Sequence, residues 1–265
     1  MHPMLNMGIR AVRSAGDFII QCMDRMQGIE VAEKSRNDFV SEVDRRAERI
    51  ILDVLSKAYP DHAILAEESG VQGDSEYRWI IDPLDGTTNY LHGFPQFAIS
   101  VALEHKGVLD QGIIYDPLRQ ELFTASRGDG AWLNDRRMRV SRRDSLEGAL
   151  IGTGFPFRSL NRLDTYLDVF RQLTAVVAGI RRPGAASLDL AYVAAGRLDG
   201  FWEYGLEPWD IAAGTLLIRE AGGYVSDMDS GDTRIESGNI VAGNPAIHDL
   251  LVEIIRAAQD DRGRT

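Results

Sequence analysis

Residues 79–90 read Trp79-Ile80-Ile81-Asp82-Pro83-Leu84-Asp85-Gly86-Thr87-Thr88-Asn89-Tyr90, and no other stretch limits the architecture around it as sharply. An apolar run of strand character ends in two carboxylates three residues apart, and Gly86, Thr87 and Thr88 suit the start of a helix. Pro83 fixes its own φ, removes a backbone donor and biases Asp82 toward extended backbone, so both acids are presented from a stiff turn. Gly86 lets the chain approach a ligand closely, and the amides after it are placed as at a helix start, where an anion binds. The stretch therefore sets carboxylates for a hard cation beside amides for a phosphate.

A chain of 265 residues with 44% hydrophobic content can surround such a turn with a sizeable core, as one large domain or two closely packed ones. Its net charge of −11 argues against a protein whose main task is non-specific binding to nucleic acid or anionic membrane. Cys22 is the single cysteine, so neither an intramolecular disulfide nor a thiolate metal cluster can form within one chain, and a cytoplasmic setting is expected. Arg10 and Arg13 interrupt any signal-peptide core, and no apolar run is long enough to span a membrane.

Leu5, Ile9, Val12, Gly16, Ile19, Met23 and Met26 recur at helical spacing, and a second amphipathic helix carries Val43, Ala47, Ile51, Val54 and Ala58, with Asp44 near its start. Between them lies a polar segment, residues 33–38, that includes Lys34 and reads as a loop able to cover a site. Residues 63–66 form a short buried strand that ends in Glu67 and Glu68. Runs at 97–104, 108–115, 121–125 and 131–133 are expected to make an antiparallel meander. Five arginines within residues 136–143 mark a composition shift, read either as a solvated linker or as a docking surface for an acidic partner. The pattern then changes to strand and helix alternation, so the expected division is residues 1–145, with the antiparallel sheet and most metal ligands, and residues 146–265, an α/β unit completing the substrate site.

A third acidic feature, Glu207-Pro208-Trp209-Asp210-Ile211-Ala212-Ala213-Gly214, opens an apolar helix, and Asp210 has the residue type of an N-cap. Glu67, Asp82, Asp85 and Asp210 all lie at element ends, where α/β architectures collect ligands. Such acids repel one another unless protonated or countered, and oxygen-only ligands favour Mg²⁺ or Mn²⁺ over zinc. The five histidines show no zinc-ligand spacing, and no nucleophile elbow, P-loop or dinucleotide fingerprint is present.

Taken together, Glu67-Glu68-Ser69, the Asp82 to Asn89 motif and the Trp209 to Gly214 motif resemble the inositol monophosphatase family over essentially the whole chain. The start at residues 1–6 and Gly154-Phe155-Pro156-Phe157 are similar to its bacterial SuhB branch. The resemblance implies an α+β fold, a layered αβαβα sandwich of the inositol monophosphatase and sugar phosphatase type. It further implies a Mg²⁺-dependent, lithium-sensitive hydrolase releasing phosphate from inositol-1-phosphate, with two or three Mg²⁺ per site, Mn²⁺ as a substitute and Ca²⁺ inhibitory. Glu67, Asp82 and the Leu84 carbonyl would hold one ion, Asp82, Asp85 and Asp210 a second, and Glu67 a third through water. Asp44 and Thr87 would activate the water, with Lys34 on a nearby loop. Gly86 and Thr87 would hold the phosphate, and Asp85, Gly184, Ala185 and Glu203 the inositol ring. The same resemblance implies a homodimer and a role with the transcription antitermination machinery in ribosomal RNA maturation. Another small phosphomonoester, such as a nucleotide 3′-phosphate, histidinol phosphate or a sugar bisphosphate, is the alternative substrate.

Overall fold

The computed structural model describes residues 2–23, 31–35, 38–157, 159–228, 231 and 235–262, and its layers follow the order in which helical and strand periods alternate. Helices α1 (Pro3–Met23) and α2 (Glu42–Ala58) are the two amphipathic segments read from the sequence; they pack together and bury Val12, Ile19, Ala47 and Ile51 completely. The segment between them is not a simple loop. Strands β1 (Val31–Ser35) and β2 (Asp38–Ser41) form an antiparallel hairpin, with Ala32 opposite Val40 and Glu33 opposite Phe39. Reading only the polar residues 33–38 left out the flanking Val31, Phe39 and Val40, whose β-branched and aromatic side chains favour a strand.

The main sheet contains β3 (Ala63–Ala66), β4 (Gly70–Gln72), β5 (Tyr77–Asp85), β6 (Ala98–His105), β7 (Val108–Asp116), β8 (Glu121–Ser126), β9 (Gly130–Leu133) and β10 (Arg136–Arg137). Their order is β10-β9-β8-β7-β6-β5-β3-β4, with β3 parallel to β5 and the remaining pairs antiparallel. The arginine-rich segment begins as edge strand β10 rather than as linker, and the short helix α3 (Thr87–Leu91) joins β5 to β6. On β5 and β6, Ile81, Val101 and Leu103 join the core under α1 and α2, whereas Ile80, Ala98 and Ala102 join the core on the other face. This is the alternation a sheet covered on both sides requires.

The rest of the chain supplies β11 (Leu150–Thr153), α4 (Leu163–Thr174), β12 (Gly179–Arg181), α5 (Ala186–Ala194), β13 (Gly200–Glu203), α6 (Pro208–Glu220), β14 (Tyr224–Ser226), β15 (Ile240–Gly243) and α7 (Pro245–Arg262). The second sheet runs β12-β11-β13-β15-β14, with β11 parallel to both its neighbours and β15 antiparallel to both of its own. Helix α6 packs on β5 to β8, and α5 touches β7 on one side and β11, β13 and β15 on the other, so these helices fill the space between the sheets. Both are buried nearly all round, as a helix covered on two sides must be. Helices α4 and α7 pair on the outside, α7 against β13 and β15. The fold is α+β in the layered order αβαβα. Among the described residues no helix is long and apolar enough to cross a membrane.

Candidate metal centre and substrate cavity

The acids of β5 reach the inner layer through a register shift. Asp82 lies opposite Ser100 and Asp85 opposite Ala98, so β5 uses three steps where β6 uses two. This extra residue is a β-bulge. The strand thus continues through Asp85 instead of ending at Asp82, and the Asp82 carboxylate accepts the Leu84 N–H at 2.9 Å, which stiffens the bulge. Gly86 follows with φ of 93°, and a Cβ there would stand 2.9 Å from the Gln96 carbonyl oxygen. Only glycine meets both conditions.

Asp210 enters from α6, with a correction to its expected local role. The N-cap is Glu207; Asp210 sits at N3 and accepts the Glu207 N–H at 2.8 Å, completing a capping box. Pro208 at the first helical position explains the shift, since a proline is tolerated where no N–H is required. One carboxylate oxygen each from Asp82, Asp85 and Asp210 lies within 4.8 Å of the others. Glu67, in the turn after β3, lines the same cavity and raises the Asp82 pKa by its charge.

Every residue named from the sequence as a site candidate, except Asp44 and Lys34, lines this one cavity of about 380 Å³. Asp44 stands behind it, buried in the first turn of α2, where its Oδ1 lies 3.2 Å from the Thr87 hydroxyl. That hydroxyl also lies 3.1 Å from the Leu84 carbonyl, so its single proton has two acceptors. Gly184 and Ala185 precede α5, and Glu203 closes β13 with its carboxylate against Gly154, where a Cβ would collide with it. Lys34 falls in β1, and its side chain lies outside the described residues.

Burial pushes the Asp82 carboxyl well above its ordinary value, and Glu67, Asp85 and Asp210 push it further, against the Leu84 N–H. Asp85 is raised to about 7 by burial and then by Asp210, opposed by the hydroxyl and backbone donors of Ser187 and the backbone of Ala186. Acids gathered this way fit a divalent cation, since its charge removes the repulsion that otherwise protonates them. The oxygen-only donor set, with no thiolate or imidazole in the trio, suits a hard ion of the Mg²⁺ or Mn²⁺ type.

A protein-family model described as the inositol monophosphatase family matches residues 1–260. The chain belongs to the inositol monophosphatase family. Nus factor SuhB of Pseudomonas aeruginosa is 57% identical over 262 residues, 97% of either chain, which places the protein in the SuhB branch of the family. The crystal structure of extragenic suppressor protein SuhB from Bartonella henselae matches with a TM-score of 0.92 at 50% identity, covering 94% of this chain and 97% of that one. Inositol monophosphatase from Anabaena matches with a TM-score of 0.86 at 39% identity, covering 96% and 95%.

Several residues that hold the site of this family member in place were not singled out for such roles from the sequence. Ser187 donates its backbone N–H to Asp85 at 2.8 Å and its hydroxyl to the same oxygen, so Asp85 is anchored at the start of α5. Glu48, buried on α2, accepts the Glu68 N–H at 2.8 Å and fixes the turn that carries Glu67. Asn89 gives its amide to the carbonyls of Gln96 at 2.7 Å and Pro183 at 2.8 Å, tying α3 to the approach to α5. Each partner lies far away in sequence or is a backbone atom, so neither a helical nor a strand period marks it.

Proposed function

We propose that the protein is a Mg²⁺-dependent phosphomonoesterase that hydrolyses inositol-1-phosphate to inositol and phosphate by direct attack of water. The observation that carries the reading is the convergence of Asp82, Asp85 and Asp210 beside the Thr87 and Asp44 pair. Glu67, Asp82 and the Leu84 carbonyl would hold one ion, Asp82, Asp85 and Asp210 a second, and Glu67 a third through water. Ions held there supply positive charge to the phosphoryl and leaving oxygens and lower the pKa of the attacking water. Thr87 accepts the water proton while passing its own to Asp44, whose Oδ1 lies 3.2 Å from that hydroxyl. The Gly86 and Thr87 backbone holds the phosphate, and Asp85, Gly184, Ala185 and Glu203 hold the ring. Mn²⁺ substitutes for Mg²⁺, and Li⁺ and Ca²⁺ inhibit. Phosphate release from inositol-1-phosphate with and without Mg²⁺ is the test. Asp82→Asn is expected to lower kcat on the order of 10²-fold or more, and undiminished turnover would refute the assigned site. A substrate panel separates this reading from a nucleotide or sugar phosphate.

A second reading has its own support. The Pseudomonas aeruginosa relative bears the name Nus factor, and in this chain Arg136 and Arg137 are exposed on edge strand β10, with the Arg137 guanidinium 5.9 Å from the Trp132 ring centre. We infer a role in transcription antitermination alongside catalysis, the protein acting as a cytoplasmic homodimer. Pull-down of antitermination factors is expected to survive Asp82→Asn and to fail on neutralising Arg136 and Arg137 to Gln; retention by the neutralised protein would move the dock elsewhere.

A further inference from the structure

The cavity carries a second polar group that the reaction centre does not use. Asp189, on the first turns of α5, lines it and is 1% exposed, yet its Oδ1 accepts no hydrogen bond. The Thr153 hydroxyl at the end of β11, beside the Tyr166 phenol, lines the same cavity at 1% exposure and likewise has no hydrogen bond of ordinary geometry. Burial, then Glu203 and Asp85, push the Asp189 carboxyl well above its ordinary value, with Arg182 opposing. An acceptor left unpaired in the interior is a standing cost, and its presence in a ligand cavity points to a partner from outside the chain.

The chemistry of that partner follows from the groups present. Glu203 disfavours a second phosphate or a carboxylate, and the unpaired Oδ1 of Asp189 offers an acceptor to a neutral donor. Arg182, the one basic residue lining the cavity among the described residues, stacks its guanidinium 5.2 Å from the Phe155 ring centre. Several O–H donors on one uncharged frame satisfy this wall; an aryl or simple alkyl group leaves it unpaired. We propose that Asp189 and Thr153, together with Glu203, form a hydroxyl-reading subsite that selects a polyol leaving group over a hydroxyl-poor alcohol. The inference rests on the phosphomonoesterase reading and extends it to two residues.

The test compares kcat/KM for inositol-1-phosphate and for phenyl phosphate, at saturating Mg²⁺, in wild type, Asp189→Leu and Thr153→Val. Because a site built to bond a hydroxyl loses its partner, each variant is expected to lose about 10-fold or more toward inositol-1-phosphate. Phenyl phosphate turnover is expected to stay within about 2-fold, since that leaving group never used the subsite. An equal fall for both substrates, or no fall for either, overturns the proposal. If wild type releases no phosphate from either ester, the phosphatase reading fails by itself. The subsite is then judged by calorimetric binding of free myo-inositol with Mg²⁺ present: binding lost in Thr153→Val supports it, and binding unchanged, or absent in wild type, overturns it. Thermal unfolding identifies a variant that does not fold, and Thr153→Val, nearly equal in shape, covers that outcome for Asp189→Leu.

Discussion

At the scale of single residues, Thr87 separates geometry from acidity. Its hydroxyl has no acidity of its own worth the name at neutral pH, and its place between Asp44 and the Leu84 carbonyl gives it a role only as a relay. Thr87→Ala is expected to lower kcat by about 10²-fold with KM little changed, whereas Thr87→Ser retains most activity; steady-state kinetics in which Ser is no better than Ala would remove the hydroxyl from the mechanism. Asp85 gives a pH prediction. Its folded pKa of about 7 lies above the ordinary carboxylate value of 3.8, so the folded metal-free protein holds that proton more tightly than the unfolded chain. The resulting stabilisation is fully present below about pH 4 and is lost as pH rises through about 7. Thermal unfolding of EDTA-treated protein should therefore show this contribution fading between those values, and Mg²⁺ should restore stability most at the alkaline end. A metal-free melting temperature that rises from pH 5 to 8 without regard to Mg²⁺ would contradict the assignment. At this scale the sequence marked the acids well, because Pro83 and Gly86 flank them with unusual backbone demands. It could not mark Ser187 or Glu48, whose importance lies entirely in what they face across 102 and 20 residues.

At the scale of elements, the central helices bear the tightest constraint. A Cβ on Gly214 of α6 would stand 2.5 Å from the Leu190 Cβ of α5, and both helices are enclosed by sheets. Gly214→Ala is expected to destabilise the protein by about 1–3 kcal/mol through overpacking, measured by denaturant unfolding; a neutral effect would mean the two helices can separate without cost. Most elements were legible because amphipathic periods are strong in α1, α2 and the meander. The capping of α6 was misread since Asp at either N-cap or N3 satisfies the same local pattern, and only the backbone distance to Glu207 distinguishes them. Strand β4 escaped because its three residues, Gly70, Val71 and Gln72, are too few to show a period, and their pairing with β3 is tertiary.

At the scale of the whole molecule, the five layers could be named from the resemblance but not built from periodicity. Nothing in the apolar runs says which sheet α5 and α6 face; their burial on all sides says only that something covers each. The covering itself decides the site, since Asp82 and Asp85 come from one sheet, Glu203 from the other, and Asp189 and Asp210 from the helices between them. The β5 bulge has a consequence for how such a chain can change over generations. Substitutions inside the strand leave its length intact and are tolerated or rejected one side chain at a time. Were the same residues to pair regularly with β6, without the bulge, Asp85 would lie opposite Phe97 and turn toward α1 and α2. The better-paired strand would then be the one without a reaction centre, so over generations the irregular register must be kept whichever letters fill it.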